Sequence, residues 1–273
     1  MVEIKIKPKQ AWKLLDISEI WHYRELLYIF AWRDIKVRYK QTILGILWVI
    51  FQPLVTMTIF TIFFGRMAKI PSGELPYSLF VLCGLVFWTF FSGSLSHASD
   101  SMVSNESIIK KVYFPKVILP LSSVVTSFVD FIINLVLLFI VASFFGFIPR
   151  LVGLIIFPLG IILTAITSIG LGLLLSSFNV KYRDVRYILP FFIQILLFVT
   201  PIIYPLSIVS PTNRIIMALN PMTSVIEGVR FVFSPTYMLR SELILVSFLS
   251  SIFIFILGLW YFRKTEDFFA DIV

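Results

Sequence analysis

Cysteine and histidine are scarce in this sequence. Its 273 residues include one cysteine, Cys83, and two histidines, His22 and His97. A single thiol excludes a disulfide bond within one chain, and the two histidines lack the spacing of a metal site. We therefore expect no metal site, and we expect both histidines to be polar residues near a membrane interface.

The sequence also lacks the features of an enzyme that handles nucleotides or sugars. No lysine stands in the pattern G-x-x-x-x-G-K-[ST], whose backbone amides hold ATP phosphates. Glu106 and Asp184 are isolated carboxylates, which argues against a membrane glycosyltransferase. We expect no catalytic residues and no cofactor in this chain, so an ATP-driven process needs a partner subunit.

Charge is missing from long stretches of the chain. From Gln41 to Gly65, 25 residues carry no charged side chain, and in one of the later windows only Asp130 interrupts the pattern. A transmembrane helix needs about 20 apolar residues, and the whole chain is 59% hydrophobic with a mean hydropathy of +0.96. The sequence therefore predicts an all-α integral membrane protein with six transmembrane helices. The five further windows are Leu75–Ser96, Val117–Pro149, Leu151–Val180, Tyr187–Asn213 and Leu243–Phe262.

The positive charge is distributed unevenly between the two sides of the predicted membrane domain. Six crossings that start in the cytoplasm leave 17 of the 23 lysines and arginines on the cytoplasmic side. Basic residues mark cytoplasmic loops, so we expect a multi-pass protein of the cell inner membrane with both termini in the cytoplasm. This placement explains the net charge of +8 without nucleic acid. The first 40 residues hold nine basic and five acidic side chains, which a secretory signal peptide does not.

Residues 18–40 are too polar to cross a membrane and too apolar to lie free in water. They predict an amphipathic helix at the membrane interface, with aromatic rings at the level of the lipid headgroups. This helix belongs to a cytoplasmic amino-terminal segment, residues 1–40, that precedes a six-span permease domain, residues 41–273. The alternative is a plain basic anchor that only sets topology. The candidate functional residues of the helix are Arg33, Asp34, Lys36 and Arg38.

Four stretches of the sequence resemble one known family. They are AWRDIKVRYKQTILGILWVIFQP (31–53), SNESIIKKVYFPKVILP (104–120), NVKYRDVRYILPF (179–191) and NPMTSVIEGVRF (220–231). In this order they are similar to the permease subunits of ABC transporters that export polysaccharides, a group that includes O-antigen, capsule and teichoic-acid exporters. The resemblance covers nearly the whole chain.

The resemblance implies a function and a set of partners. Permeases of this kind have six spans and work as homodimers, with two copies of a separate ATPase that binds ATP and Mg. The implied substrate is a lipid-linked polysaccharide of the O-antigen type, moved across the inner membrane. Alternatives are a teichoic-acid, capsule, lipid or drug exporter of the same fold. An ion-coupled secondary transporter is a more distant alternative. Such proteins contain inverted repeats with matching interrupted helices, whereas this sequence shows only one interrupted region.

The loop after the second span is the candidate contact with the ATPase. The resemblance implies a coupling helix at about residues 101–111, which carries movement of the ATPase to the spans. The alternative is a solvated loop whose basic flank attracts anionic lipid. Residues 181–186 are either a second contact or basic residues that only fix topology. The candidate coupling residues are Ser104, Asn105, Glu106, Ile108, Ile109 and Lys110.

Aromatic residues within the spans are candidates for the wall of a transport path. The C–H faces of sugars stack on aromatic rings without a fixed hydrogen-bond register, which suits a moving glycan. The alternative is that a given ring faces lipid or fills a helix contact, as most of the 29 phenylalanines must. The candidates are Trp48, Phe51, Phe87, Trp88, Phe191 and Phe198.

Asp130 is the one charged residue within the third predicted span. A carboxylate inside a membrane needs a partner and faces protein or water. Asn134 follows one turn later and shares a face with it. The pair is either a polar contact of the pore, with a proton site as a variant, or a hydrogen bond between helices.

The segment between the fifth and sixth spans, about residues 206–240, is apolar and interrupted by prolines. It predicts short re-entrant helices that line water or are buried in protein, and the resemblance makes them the external gate. Glu227 and Arg230 are three positions apart and can neutralise each other. The alternative is a cap that lies on the membrane surface. The candidate gate residues are Asn220, Pro221, Glu227 and Arg230.

Overall fold

The computed structural model describes residues 17–40, 45–182, 184–237, 239–266 and 269. These residues form helices joined by short turns, and no strand occurs among them. The predicted all-α class is therefore confirmed for the described part of the chain. The two termini, whose cytoplasmic placement is predicted above, lie outside these residues.

The helices follow one another closely along the chain. A π-helical segment, Thr61–Met67, continues α3, and a 3-10 turn, Leu206–Ile208, precedes α9. The helices are α1 Ile17–His22, α2 Arg24–Lys40, α3 Ile46–Phe60, α4 Tyr77–Ser104, α5 Glu106–Ile109, α6 Ile118–Phe144, α7 Gly153–Lys181, α8 Val185–Val199, α9 Pro211–Ala218, α10 Met222–Phe233 and α11 Ser241–Thr265.

Five helices of the described chain are long and apolar enough to cross a membrane. They are α3 with its π-helical continuation, α4, α6, α7 and α11. Each falls within one of the predicted windows or extends it. At 1.5 Å per residue the 28-residue α4 is about 42 Å long, more than the hydrocarbon thickness of about 30 Å. This length is enough to span the apolar layer even when the helix is tilted.

The fifth predicted span, Tyr187–Asn213, is wrong in extent. Its helix, α8, has 15 residues, or about 22 Å, and ends at Val199. Thr200 is extended (φ −73°, ψ 138°), and the Pro201 that follows it favours this geometry, because the ring of a proline disfavours helical geometry in the residue before it. The chain then forms α9 and α10, whose axes are bent by 108° at Leu219–Pro221. The predicted short helices are thus present, and their re-entry into the membrane stays a prediction.

Helix α4 is the centre of the bundle. Within its most apolar stretch 78% of the residues are buried, against 6% for α3. It packs between α6 and α7, and Gly172 of α7 lets the two helix surfaces approach at Ala98, where an added Cβ would lie 2.6 Å from the alanine Cβ. Helices α3 and α8 lie at the rim and expose most of their apolar side chains.

Helices α7 and α11 touch through their backbones. A Cβ added to Gly258 of α11 would lie 1.9 Å from the carbonyl oxygen of Gly170 in α7. Beside this contact the hydroxyls of Thr167 and Ser251 are 2.9 Å apart. Small residues and hydroxyl pairs are the usual means of joining helices in lipid, where burying apolar surface gives little driving force.

Candidate functional site

The amino-terminal helices α1 and α2 pack against one end of the bundle. Phe30 and Ala31 are buried, and the ring of Phe30 lies 5.7 Å from that of Phe114, measured between centroids. The same cluster contains Phe262 and Phe269 from the far end of the chain. The predicted helix at residues 18–40 is present, with a single break at Tyr23. Its position in a membrane interface stays a prediction.

The four charged candidates of this helix have different surroundings. Arg33 pairs with its neighbour Asp34 at 2.8 Å, and its guanidinium lies over the ring of Phe30 at 5.1 Å. Lys36 is exposed. Only Arg38 reaches the membrane-spanning helices, and its side chain is about one-quarter exposed at 27%.

Arg38 is the partner that Asp130 requires. Its guanidinium donates to Oδ2 of Asp130 and contacts Nε2 of His97, while the Tyr39 phenol donates to Oδ1 of Asp130. Burial and this hydrogen bond raise the pKa of Tyr39, so the phenol keeps its proton and remains a donor. Asn134, predicted to share a helix face with Asp130, is not among these contacts. The cluster joins α2 to α4 and α6.

A cavity of about 800 Å³ opens beside this cluster, between the end of α2 and helices α3, α4 and α6. Arg38, Tyr39, His97 and Asp130 line one part of it. The remainder combines aromatic rings with neutral hydroxyls and amides, a surface that can stack on and hydrogen-bond to a sugar. These further side chains include Trp48, Gln52, Thr89, Phe90, Ser92, Ser127, Phe131 and Asn134.

Asn134 brings an unused acceptor to the cavity. Its residue is 3% exposed, and its Oδ1 accepts no hydrogen bond from any described residue. Leaving a buried polar group unpaired costs about 1–3 kcal/mol. Asp130 and Asn134 both line the cavity, as their predicted common face requires.

The six predicted pore rings fall into two groups. Trp48, Phe51, Phe191 and Phe198 are each at least half exposed on the rim helices α3 and α8. The other two are buried within the chain, which corrects the prediction that they line a path.

The two buried rings are Phe87 and Trp88, which are 0% and 3% exposed. Phe87 packs edge-on against Phe131 at 4.9 Å, and Trp88 lies 5.4 Å from Phe91. Rings enclosed by α4, α6 and α7 have no free face for a glycan. Their role in this arrangement is helix packing.

The predicted coupling segment forms the short helix α5. Ser104 and Lys110 are exposed, and Lys110 pairs with Glu106 at 2.7 Å. Ile108 is half-buried. These four residues remain available to a partner subunit.

Two other predicted coupling residues face inward, which corrects that part of the prediction. Asn105 is 8% exposed and donates to the carbonyl oxygen of Ser101 at 2.8 Å. Ile109 is 6% exposed and belongs to the same cluster as Phe30 and Phe114. Both side chains hold α5 to the bundle.

Sequence reasoning missed the exposed pair Val112 and Tyr113, which follows α5 after two lysines. Their side chains are 55% and 70% exposed. Large apolar side chains in a polar loop between basic residues were the available signal.

The predicted second contact is the segment of residues 181–186. Position 183 lies outside the described residues. Arg186 approaches Asp100 at 3.4 Å.

Arg230 holds the α9–α10 region to the bundle. The predicted pair with Glu227 is present at 2.9 Å, and the arginine is fully buried. Its guanidinium also donates to the carbonyl oxygens of Phe80 (3.3 Å) and Ile202 (2.8 Å) and stacks on the Phe80 ring at 3.5 Å. A buried guanidinium needs a counter-charge and acceptors for its N–H groups. These contacts supply both, so Arg230 fixes α10 against α4.

Asn220 and Pro221 form the bend between α9 and α10. The Asn220 amide donates to Oγ1 of Thr200 at 2.8 Å, and its Oδ1 accepts from the backbone N–H of Met222 at 3.1 Å. Pro221 is buried directly before α10. These contacts tie the bend to the end of α8, while the gating role of all four residues stays a prediction.

The long apolar helices and the polar cavity between them define a multi-span membrane protein suited to transport. Residues 25–234 match the family described as ABC-2 type transporter, and the chain belongs to this family of membrane subunits. Proteins of this family are permease subunits without an ATPase of their own, so membership implies a partner ATPase subunit.

Relatives with descriptive names align over most of the chain. It is 29% identical over 219 residues to the O-antigen export system permease protein RfbA of Myxococcus xanthus, covering 80% of this chain and 83% of that protein. It is also 29% identical over 250 residues to RfbA of Klebsiella pneumoniae, covering 91% and 95%. The polysialic acid transport protein KpsM of Escherichia coli is 22% identical over 241 residues, covering 86% and 91%.

Proposed function

We propose that this chain is the transmembrane subunit of an ATP-driven exporter of lipid-linked polysaccharide of the O-antigen type. Two copies form the path across the cell inner membrane, and two copies of a separate ATPase bind ATP and Mg and supply the energy. Both termini lie in the cytoplasm. The names of the RfbA relatives support this substrate class.

The observation that carries the proposal is the cavity of about 800 Å³ between α2, α3, α4 and α6. Its wall alternates rings such as Trp48 with neutral groups such as Gln52 and Asn134. A hydroxyl-rich ligand can use both, because rings accept sugar faces and amides accept sugar hydroxyls. The charged groups at its edge are Arg38 and Asp130, which neutralise each other.

The rim helices α3 and α8 are the natural place for the second copy. Their exposed rings, Trp48, Phe51, Phe191 and Phe198, lie on the two most weakly packed helices of the predicted spans. In a homodimer these faces meet the partner subunit or border the path between the two copies. The rings then serve the stacking role for which the sequence suggests them.

The two ends of the bundle take different tasks in this proposal. Helix α5 and the residues beside it contact the ATPase, while the α9–α10 pair closes the external side. Asp130 accepts hydrogen bonds from Arg38 and Tyr39, an arrangement that suits a link between helices better than a proton carrier. An ion-coupled mechanism therefore has no support from this residue.

A pull-down of the tagged chain from its native membranes, followed by mass spectrometry, tests the proposal. We expect a near-stoichiometric Walker-motif ATPase and lipid-linked glycan in the same fraction. The chemistry of the bound lipid separates O-antigen from capsule, teichoic acid or another lipid. A chain that is active in transport but comes down without an ATPase would contradict the proposal.

A further inference from the structure

A second cavity lies at the opposite end of α4 from α5. It has a volume of about 330 Å³ and is formed by the turn at residues 71–73, the α9–α10 region and the start of α11. The start and end of α4 are about 42 Å apart, so this cavity and α5 are at opposite faces of the membrane domain. Most of its wall belongs to the segment predicted to be the external gate, and that prediction assigns no ligand to the cavity.

Two arginines supply positive charge to the cavity wall. Arg214 of α9 donates to the main-chain oxygens of Leu206 (2.9 Å) and Ser207 (2.7 Å), and no carboxylate of the described residues neutralises its charge. Arg240 directly precedes α11, is exposed, and forms no ion pair with any described residue. Both side chains line the cavity and together favour an anionic group there.

One carboxylate completes the polar part of the wall. Glu227 lines the cavity and directs Oε1 to Arg230 at 2.9 Å. Its Oε2 accepts no hydrogen bond from the described residues, so the carboxylate retains capacity for a donor. The hydroxyls of Thr223 and Ser224 are already donated to the carbonyl oxygens of Met217 and Leu243.

The level of the cavity along the bundle indicates the kind of ligand. Arg240 immediately precedes the spanning helix α11, and basic residues at such ends lie at the level of the lipid headgroups. Below it the cavity wall is apolar, formed by the buried Leu243 and the exposed Ile244, and Ile244 continues into the exposed apolar side of α11. The site is polar at headgroup level and apolar toward the hydrocarbon.

We propose that this cavity binds an aminophospholipid such as phosphatidylethanolamine from the membrane leaflet on its side. The lipid phosphate lies between Arg214 and Arg240, its ammonium group faces Glu227, and its acyl chains run along the exposed Ile244. The bound lipid joins α9 to the start of α11 and thereby holds the α9–α10 pair in place. This inference goes beyond the proposed function and does not depend on the exported substrate.

Native mass spectrometry of the purified protein in mild detergent, after exchange into a mixture of phosphatidylethanolamine and phosphatidylglycerol, tests the proposal. The wild-type chain should retain phosphatidylethanolamine in preference, and Arg240→Gln combined with Arg214→Gln should reduce that retention at least tenfold. Arg240→Gln alone should reduce the retention of phosphatidylethanolamine severalfold. It replaces an exposed side chain that forms no ion pair with any described residue, so it provides the test if the double variant fails to fold. The matched control is Arg66→Gln combined with Lys69→Gln, which removes two exposed charges outside the cavity and should leave retention unchanged.

Three outcomes would overturn the proposal. Equal retention by the Arg240→Gln variant and the wild type would show that the arginines hold no lipid. Preference for phosphatidylglycerol would contradict the role of Glu227. Displacement of all bound lipid by millimolar inorganic phosphate would make the cavity a site for the free anion.

Discussion

Arg38, near the end of α2, forms an ion pair with Asp130 near the middle of α6, 92 positions later in the chain. The two side chains are about one-quarter exposed, at 27% and 23%, so water screens the pair only in part. Through this contact the amino-terminal helix is connected to the centre of the membrane domain as well as to its end. A disturbance of α2 therefore reaches the cavity between α3, α4 and α6.

Loss of either charge should destabilise the chain. We expect Asp130→Asn and Arg38→Gln each to reduce the free energy of unfolding by about 1–3 kcal/mol, because each leaves its partner partly buried without a counter-charge. The double variant should lose less than the sum of the two. Thermal unfolding of each variant in detergent measures these losses of stability. Arg33→Gln is the control, since its pair with Asp34 is local and more exposed, and additive losses at 38 and 130 would contradict the coupling.

Replacing Asn134, whose side-chain oxygen is an unused acceptor, should change stability and transport in opposite directions. Asn134→Leu removes an unpaired buried oxygen and should raise the free energy of unfolding by about 1 kcal/mol. The same change should lower glycan export, measured by cell-surface labelling, because the cavity loses a polar group. Ser94→Ala is the matched control: its hydroxyl is also buried and unpaired but does not line the cavity, so export should be unchanged. Normal export by Asn134→Leu would contradict a substrate role for the cavity.

The exposed residue Tyr113 should matter for the ATPase without affecting the fold. Truncation of a well-packed tyrosine at an interface costs about 2 kcal/mol, so Tyr113→Ala should reduce ATPase affinity about 30-fold. Its exposure of 70% in the single chain predicts an unchanged melting temperature. Ile109→Asp should do the opposite and destabilise the chain itself, since its side chain is buried against the cluster with Phe114. Undiminished co-purification of the ATPase with Tyr113→Ala would remove this surface from the interface.

The backbone contact between α7 and α11 should tolerate no side chain. Gly258→Ala places a methyl group 1.9 Å from the Gly170 carbonyl oxygen, which forces the two helices apart. We expect a loss of about 3 kcal/mol in the free energy of unfolding, at the upper end of the range for overpacking. Gly93→Ala is the control, because the nearest atom to its added Cβ is the Ser127 hydroxyl at 3.7 Å. Equal melting temperatures for the two variants would contradict the close approach.

Cysteine labelling tests the predicted topology. Ala68→Cys and Val112→Cys place exposed thiols at opposite ends of α4, while the native Cys83 is buried and should not react. An impermeant maleimide applied to intact spheroplasts should label position 68 alone, and position 112 only after permeabilisation. The reverse pattern would overturn the orientation and move α5 away from any cytoplasmic ATPase.

The length of the uncharged apolar runs was enough to predict five of the spans, because such a long run has no stable place outside the membrane. It failed at the fifth window, where apolar residues continue past Val199 although the helix ends there. Hydropathy records which residues avoid water and does not locate the end of a helix, and a proline alone does not locate it either, since α8 continues through Pro190 and ends before Pro201. The short helices after α8 were predictable from their own prolines.

Partners across the fold were beyond sequence reasoning. The need of Asp130 for a partner follows from its burial, but Arg38 is 92 positions away and nothing in the local pattern connects them. Likewise, Phe87 and Trp88 differ from Trp48 and Phe51 only in the helix that carries them. A ring faces the core or the rim according to how the helices pack, so composition alone could not separate the two sets.

The cluster of Phe30, Phe114, Phe262 and Phe269 brings the beginning of the chain, the loop after α5 and the last helix to one place. This cluster also contains Ile109 of α5, so it lies beside the surface that the proposed assembly offers to the ATPase. The loop between α6 and α7 is an insertion point away from that surface. Gly146 there is exposed, has a positive φ of 78°, and has no neighbouring atom within 4 Å of an added Cβ. An epitope inserted beside it would mark the end of the bundle opposite α5 without disturbing the α5 surface.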